Sequence, residues 1–436
     1  MSPGWRERAG CGFDAEGQWM VPVASPDKRI AEIDGLRAVA MTMVVAQHCG
    51  LMPFGWTGVW LFFVISGFVI TRTLMAEAAD GASAAQRYGR FVARRFFRIV
   101  PVYLAYLAVA SIALFLSGGR AAFGDMPFLM TFTFNWQMIY GFVEVTDRFP
   151  PFAHLWTLSV EEQFYIFYPL LFLFLPARLF RPALMVLVAL GPLIRLLTSA
   201  SLVSGGRAAG DVAFGVYASS LSQFDAFVIG ALIASYETEL RKSVRVSRVL
   251  LAAAFVVGVG YAAVMAAINA ASGARGFDIV RNIYSGTIAG QGREVFTYMV
   301  VDLAAAAVVV AAVAGNRLLR PFAAPVLVRI GSVSYGAYLF HAFVIWLIAT
   351  LILAVDSGLA GRLTLFAIAW PVTVALAALS FDRFEKPLMR YGRRKERYAP
   401  VPAGAVHELQ TSRQKRTASA SISIRKSGLA RPDTSR

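Results

Sequence analysis

Long apolar runs are the feature that most constrains what this chain can fold into. Segments of about 18 or more apolar residues recur along the 436 residues, and each can cross a bilayer core about 30 Å thick. Charged residues make up only 16% of the chain, compared with about a quarter in soluble proteins. The sequence therefore predicts an all-α fold, a polytopic bundle of membrane helices, rather than several soluble domains.

We predict ten spans and one shorter apolar segment. The spans are expected at about 35–53, 56–75, 99–117, 156–175, 183–203, 220–236, 248–270, 296–314, 330–354 and 362–383. The segment 127–141 is apolar but too short to span, so we interpret it as a re-entrant or interfacial piece.

The basic residues orient this scheme. Fourteen Lys and Arg residues lie in the predicted inner loops, seven lie in the outer loops and fourteen more follow from Arg383 onward. Cytoplasmic loops carry the excess of Lys and Arg in membrane proteins, so both termini are predicted to be cytoplasmic. The net charge of +16 is then explained by topology and by contact with membrane lipids, and it does not predict a nucleic-acid partner.

The composition along the chain divides it into three parts. Residues 1–33 form a polar N-terminal segment, and residues 34–390 form the membrane domain. Residues 391–436 are basic and rich in Ser and Thr, with few large apolar side chains, so we expect a disordered cytoplasmic tail.

Two ionisable residues on the first span are the leading functional candidates. Arg37 and His48 are eleven residues apart, close to three helical turns, so they share a face and lie about 16 Å apart along the axis. Charge inside a bilayer costs at least about 2.5 kcal/mol at the helix centre, which makes such residues functional candidates. Imidazole is suited to proton transfer near neutral pH. The alternative is a snorkelling Arg37 and an interfacial His48.

Other polar groups recur at helical spacing. Arg87, Arg90, Arg94 and Arg98 share one face before Pro101, with Arg95 beside them, and could grip phosphates or simply set topology. Glu161 and Glu162 enter the fourth span at a depth like that of His48, where a carboxylate could orient the imidazole.

The second and ninth spans also carry polar residues. Ser66 lies beside Gly67, a pair that by itself favours close helix packing. Ser334, Tyr338 and His341 share one face of the ninth span, where a buried polar stripe joining helices is the alternative to a functional role. Arg195, Asp225 and Asp302 are further charges in or near spans, and spacing does not assign their roles.

Taken together, these segments resemble the membrane-bound acyltransferase 3 family, which includes bacterial O-acetylases of polysaccharides. The resemblance covers residues 30 to 390, and its motifs occur in the family order. The matching stretches are Ile33–Arg37 with His48, Phe62–Phe68, Arg94–Pro101, Trp156–Tyr165, Phe224–Ala226, Ser334–His341 and Phe384–Pro387.

The resemblance implies ten membrane helices and a cytoplasmic acyl-CoA donor; no metal is expected, because the sequence contains no metal-binding motif. It implies that His48 is catalytic and Arg37 essential, that Glu161 is the glutamate of the fourth helix, and that Arg94, Arg95 and Arg98 bind the donor. Glu385 is a second candidate partner for His48, although its inner position fits less well. The predicted substrate contacts in or beside these motifs are Ser66, His154, Glu162, Tyr338 and His341.

The sequence therefore predicts an O-acyltransferase of the bacterial cytoplasmic membrane. The expected reaction moves an acyl group, acetyl in the first instance, from acyl-CoA to a hydroxyl of a sugar or glycan such as a lipopolysaccharide or an exopolysaccharide. Relatives often append a soluble hydrolase-like domain, so this domain would act alone or with a separate periplasmic partner. A proton-coupled transporter or flippase and a non-catalytic membrane scaffold are the alternatives. The sequence does not identify the acceptor, the acyl chain length or the oligomeric state.

Overall fold

A computed structural model describes residues 29–78, 82–118, 120–141, 149–276, 278–281, 283, 292–351 and 358–397, together with 12–13 and 19–20. It divides the chain into one unit of residues 1–388 and a second of residues 389–436. The predicted all-α class is confirmed: helices dominate the described residues, and the strands described are two of two residues each, β1 (Gly12–Phe13) and β2 (Trp19–Met20), paired antiparallel.

The helices follow one another along the chain with short connections. They are α1 (Ala31–His48), α2 (Thr57–Glu77), α3 (Ala84–Leu116), α4 (Met126–Met130), α5 (Phe134–Tyr140), α6 (Pro150–Ala153), α7 (Trp156–Phe174), α8 (Ala177–Ser204), α9 (Ala209–Ala218), α10 (Ser220–Ser235), α11 (Glu237–Leu240), α12 (Val244–Ala271), α13 (Asp278–Arg281), α14 (Arg293–Val313), α15 (Pro325–Ser332), α16 (Ser334–Leu351), α17 (Leu359–Ser380) and α18 (Lys386–Arg397). Two 3-10 segments (Arg120–Asp125, Arg317–Ala323) and a π-helical segment (Phe381–Glu385) complete the order.

Each of the ten predicted spans coincides with a helix or a helix pair. The sixth continues N-terminally into α9, and the ninth is broken between α15 and α16 by a bend of 72°. Seven of the described helices are long and apolar enough to cross a membrane, or eight if the bent pair is one span. Helices α1 and α7 are not among them, and they carry Arg37 and Glu161. The count of ten and the cytoplasmic side of both termini stay predictions.

Helix α3 carries the arginine row into the bundle without a break. Its first turn is closed by a capping box, in which the Gln86 backbone N–H donates to the Ser83 hydroxyl and the Ser83 backbone N–H donates to the Gln86 side chain. The helix then runs 33 residues through Pro101. The arginines and the apolar span that follows therefore belong to one continuous helix, which fixes their angular relation.

Helices α2 and α10 pack at close range because Gly67 has no side chain. A Cβ atom built on Gly67 would lie 1.9 Å from the backbone oxygen of Phe227 on α10. The Phe63 and Phe227 rings stack beside this contact with centroids 4.4 Å apart. The sequence interpretation of Ser66 and Gly67 as a packing pair therefore holds for Gly67.

Replacing Gly67 with alanine is expected to destabilise the fold by about 1–3 kcal/mol, because backbone must move to admit the methyl group. Gly260 on α12 is the matched control, since a Cβ atom there would meet nothing within 4 Å. Unfolding midpoints of the purified variants in detergent measure the difference. Equal midpoints for Gly67→Ala and Gly260→Ala would contradict the close packing of α2 on α10.

The three charges that spacing could not assign form one buried group. The Arg195 Nη2 donates to the Asp225 Oδ2 at 2.5 Å and to the Asp302 Oδ2 at 3.1 Å, and the Arg195 Nε donates to the Ser222 carbonyl at 2.9 Å. The Arg195 side chain is wholly buried, and both aspartates are buried with it. This ion-pair group joins α8, α10 and α14, and we interpret it as a contact that holds these three helices together.

Helix α18 extends beyond the boundary predicted for the basic tail. It ends at Arg397, so residues 391–397, which the sequence assigned to a disordered tail, are helical. Arg and Lys are good helix formers, and basic content alone does not prevent a helix. The rest of the predicted tail, like most of the predicted N-terminal segment, lies outside the described residues, and the domain boundaries stay predictions.

Candidate active site

Arg37 projects from α1 towards the start of α16. Its Nε donates to the Ser334 hydroxyl at 3.1 Å, and its guanidinium lies 5.9 Å from the centre of the Phe62 ring. This approach depends on Gly331, since a Cβ atom there would lie 1.8 Å from the backbone oxygen of Asp34. The absence of a side chain at the end of α15 thus brings Ser334 within reach of Arg37.

His48 is the last residue of α1, and its side chain is exposed. Its Nδ1 lies 2.9 Å from the Val44 carbonyl oxygen. Because a carbonyl can only accept, neutral His48 carries its hydrogen on Nδ1 and presents the lone pair on Nε2. The geometry therefore holds the imidazole in the tautomer that a general base or a nucleophile needs.

A small cavity lies beside Arg37, towards α2, α7 and α16. It consists of two chambers of about 40 and 30 Å³ that share Arg37, Ser66, Glu161 and Tyr335. The remaining side chains that line the first chamber are Val59, Phe62, Phe63, Thr157, Leu158, Ser334 and Tyr338. Those that complete the second are Val69, Arg95, Arg98, Ile99 and Tyr165. The cavity thus links the arginines of α3 to the polar face of α16.

Glu161 belongs to this cavity and not to His48. Its Oε1 accepts from the Ser66 hydroxyl at 2.8 Å and from the Tyr165 hydroxyl, one turn later on α7. The expectation that Glu161 lies beside His48 is therefore not met. The position of Glu161 along α7 predicted a depth in the membrane similar to that of His48. In the structure Glu161 instead bonds to Ser66 on α2 and shares a cavity with the arginines of α3, whereas His48 packs against His341 on α16.

The other two candidate carboxylates are also placed away from His48. Glu385 is buried and accepts from the Ser380 hydroxyl at 3.0 Å. Glu162 is half-buried and hydrogen-bonds to no residue within the described ranges. Of the carboxylates in the described part of the chain, none forms a hydrogen bond or an ion pair with His48. Neither Glu161 nor Glu385, the two carboxylates proposed from the sequence as partners of His48, is therefore bonded to it.

The three arginines predicted to bind the donor differ in what they contact. Arg94 forms an ion pair with Glu77 on α2. The Arg95 guanidinium lies 5.1 Å from the centre of the Tyr165 ring and lines the cavity. Arg98 lines the cavity as well. Two of the three predicted side chains, Arg95 and Arg98, therefore face the same space as Arg37.

A series of polar side chains leads from the cavity to His48. Its members are Tyr338, His154 and His341. The Tyr338 hydroxyl lies 2.5 Å from the Thr157 hydroxyl, and Tyr338 lines the cavity. The His341 ring lies between the His154 ring, at 4.8 Å, and the His48 ring, at 4.7 Å, measured between centroids. Across the described ranges, no group of three or more His, Cys, Asp or Glu side chains is arranged to hold a metal ion.

Sequence reasoning missed three residues that complete the cavity. Thr157 and Tyr165 lie four residues before and after Glu161, so helical spacing on α7 could have found them. Tyr335 lines both chambers. It follows Ser334 directly and is off the face shared by Ser334, Tyr338 and His341, so no spacing argument singled it out.

Comparisons with known proteins give one consistent answer. A family model described as an acyltransferase domain matches residues 30–381. A peptidoglycan O-acetyltransferase of Listeria monocytogenes is 32% identical over 175 residues, which cover 38% of this chain and 27% of that protein. A Staphylococcus aureus protein provisionally named an O-acetyltransferase is 34% identical over 149 residues, which cover 33% of this chain and 24% of that protein.

A third relative is a Komagataeibacter xylinus protein provisionally named a membrane-bound transacylase. It is 32% identical over 171 residues, which cover 37% of this chain and 43% of that protein. The matched region therefore covers less than half the length of each of these relatives. No solved structure matches the chain.

Proposed function

The chain belongs to the acyltransferase 3 family, and from this membership we propose that it transfers an acyl group, acetyl in the first instance, from acyl-CoA to a hydroxyl of a glycan. The donor is expected to enter from the cytoplasm, and the protein is expected to reside in the bacterial cytoplasmic membrane. The names of the relatives support O-acetylation of a glycan, since the Listeria monocytogenes protein is a peptidoglycan O-acetyltransferase.

The charge of the cavity is the observation that carries this proposal. Three guanidinium groups, those of Arg37, Arg95 and Arg98, share its lining with one carboxylate, that of Glu161. A space with excess positive charge and planar donors suits the phosphates and carbonyls of an acyl-CoA. Glu161 then acts as the counter-charge that keeps three cations together, rather than as the partner of His48.

The chemistry follows from the tautomer of His48. Its Nε2 lone pair takes the proton of the acceptor hydroxyl while the hydroxyl oxygen bonds to the acyl carbon. The carbon–sulfur bond breaks with its electron pair on sulfur, and the proton finally neutralises the CoA thiolate. In the variant mechanism the same Nε2 bonds to the acyl carbon as the carbon–sulfur bond breaks and the CoA thiolate leaves; the acceptor oxygen then displaces the imidazole from the acyl carbon, and the hydroxyl proton goes to the thiolate.

Transfer of a labelled acetyl group from acetyl-CoA to candidate glycans, by the purified protein in liposomes, tests the proposed function. Transfer that requires the protein supports it. Movement of a substrate across the bilayer without acyl-CoA, and with no acyl transfer, would instead support the transporter or flippase alternative. Transfer that needs a second, periplasmic protein would identify the separate partner expected from the sequence.

Arg98→Ala is expected to raise the KM for acetyl-CoA by about ten- to a hundred-fold, since a hydrogen bond to a charged group contributes about 1.5–3 kcal/mol. Arg178→Ala, at an exposed arginine of a predicted inner loop, removes the same charge away from the cavity and controls for surface electrostatics. Steady-state kinetics with varied acetyl-CoA measure both. Equal KM values for the two variants would show that the cavity arginines do not bind the donor.

A further inference from the structure

One face of α16 leads from the cavity beside Arg37 to His48. Ser334, Tyr338 and His341 lie along this face, and the helix rises about 10 Å from the first to the last of them. Ser334 accepts a hydrogen bond from Arg37 at one end, and the His341 ring contacts the His48 ring at the other. The Tyr338 ring stands between these two ends, with its centroid 5.3 Å from that of His341.

The two ends of this face differ in their exposure. His48 is exposed at the end of α1, whereas Tyr338, Thr157 and His341 are buried. Tyr338 and Thr157 line the cavity, but His48 and His341 do not. Within the described part of the chain, His48 hydrogen-bonds to the Val44 carbonyl and contacts the His341 ring, and it forms neither kind of contact with a side chain that lines the cavity. In this conformation, buried side chains therefore separate the base from the cavity.

Two consecutive hydrogen bonds hold the Tyr338 ring in place. The Thr157 hydroxyl donates to the His154 carbonyl oxygen at 2.9 Å, so the Thr157 oxygen is left to accept. The Tyr338 hydroxyl donates to that oxygen at 2.5 Å. The Tyr338 ring also packs against Phe62, at 6.2 Å, and against His154, at 5.6 Å, measured between centroids. One phenol hydroxyl thus ties α16 to the first turn of α7.

The chemistry of the proposed function requires this separation to be temporary. An acyl-CoA bound to the arginines of the cavity must bring its acyl carbon past Tyr338 to reach His48 Nε2. Water at the exposed end of α1 competes with the glycan for the same base. Its oxygen would bond to the acyl carbon as the carbon–sulfur bond breaks, and one of its protons would pass through His48 to the CoA thiolate. The products would be acetic acid and the free thiol of CoA.

We propose that Tyr338 and Thr157 form a barrier that closes the cavity towards His48 and protects the donor thioester from hydrolysis. The barrier is closed while the Tyr338 hydroxyl bonds to Thr157, and it opens when that bond breaks and the phenol ring swings aside. The proposal rests on the proposed function, in which the donor is an acyl-CoA and His48 is the base. It makes Tyr338 a positioning residue that controls access, with no part in forming or breaking bonds.

The test measures hydrolysis of labelled acetyl-CoA to acetate by the purified protein in liposomes without a glycan. Tyr338→Phe keeps the ring but removes the hydroxyl that bonds to Thr157. We expect hydrolysis to become about two- to tenfold faster, because loss of one hydrogen bond shifts an open–closed equilibrium by about that factor. Thr157→Val removes the other partner and should give a similar increase. Acetyl transfer to a saturating glycan should not fall in either variant, which shows that the site is intact.

Tyr168→Phe provides the matched control. Tyr168 and Thr71 form a second buried pair of tyrosine and threonine hydroxyls, between α7 and α2, but neither side chain lines the cavity. This variant should hydrolyse acetyl-CoA at the wild-type rate. Adding His48→Ala to Tyr338→Phe should abolish the extra hydrolysis, because the water then lacks the base that takes its proton.

Two results would overturn the proposal. One is a wild-type rate of hydrolysis in both Tyr338→Phe and Thr157→Val. The other is extra hydrolysis that survives His48→Ala, since water would then enter the cavity by a route that does not pass the barrier. Acetyl transfer by the wild-type protein would leave the proposed function standing in both cases. A wild-type protein without transferase activity would instead refute the proposed function itself.

Discussion

His48→Ala is expected to lower acyl transfer by about 10²–10⁴-fold near neutral pH, the range that general-base catalysis contributes. The reason is that the methyl group provides no lone pair to take the proton of the acceptor hydroxyl. Within the described residues, no carboxylate bonds to His48 and could replace it as the base. Rates of labelled acetyl transfer to the glycan acceptor, measured with saturating acetyl-CoA, give the size of the loss.

Donor binding should survive this substitution. The cavity that contains Arg37, Arg95 and Arg98 has no lining residue in common with the His48 contacts. The dissociation constant of acetyl-CoA is therefore expected to change less than two- to threefold, and it serves as the internal control for folding. A His48→Ala protein that transfers acetyl at the wild-type rate would remove His48 from the mechanism.

The same variant separates the two chemical routes. If an acyl-histidine forms, wild-type protein incubated with labelled acetyl-CoA and no acceptor will carry label on His48, and His48→Ala will carry none. If His48 acts only as a base, neither protein will be labelled, yet the transfer rate will still depend on His48. Both results are compatible with the Nε2 lone pair that the Val44 contact exposes.

Much of the fold could be predicted because span-length apolar runs determine helices directly. Each of the ten predicted spans overlaps a helix, and the differences lie at helix breaks: α9, before Ser219, lies outside the sixth predicted span, and the ninth contains the bend before Ser334. Hydropathy averages over a window, so it does not resolve a break of one or two residues. The helical extension of α18 was missed for a different reason, because basic composition was interpreted as disorder.

The site was predicted less completely, and the reason is geometric. Helical spacing places a residue around and along its own helix, as it did for Arg37, Tyr338 and His341. It does not say which neighbouring helix that face meets. Glu161 was expected beside His48 on depth alone, but the rotation of α7 brings it to Ser66 and Tyr165 instead. The meeting of His48 with His341 depends on the packing of α1 against α16, which no single-helix pattern contains.

Arg37→Ala is expected to lower kcat/KM for acetyl-CoA by about a hundred-fold or more. Arg37 lines the cavity and its Nε donates to the Ser334 hydroxyl, and within the described residues no hydrogen bond engages its two Nη groups. Two charge-assisted hydrogen bonds to the donor contribute about 1.5–3 kcal/mol each, and alanine removes both. Kinetics with varied acetyl-CoA, at fixed glycan, measure the loss.

A graded series makes the role of Arg37 specific. Arg37→Lys keeps the charge, but a single ammonium cannot bond to Ser334 and present a planar fork to the donor at once, so part of the loss should remain. Ser334→Ala removes only a positioning hydrogen bond and should cost a few-fold. None of the three variants should move the acidic limb of the pH–rate profile, because Arg37 and His48 lie about 16 Å apart along α1. A shift of that limb in Arg37→Ala would mean that Arg37 acts on the proton-transfer step, and donor binding would then rest on Arg95 and Arg98.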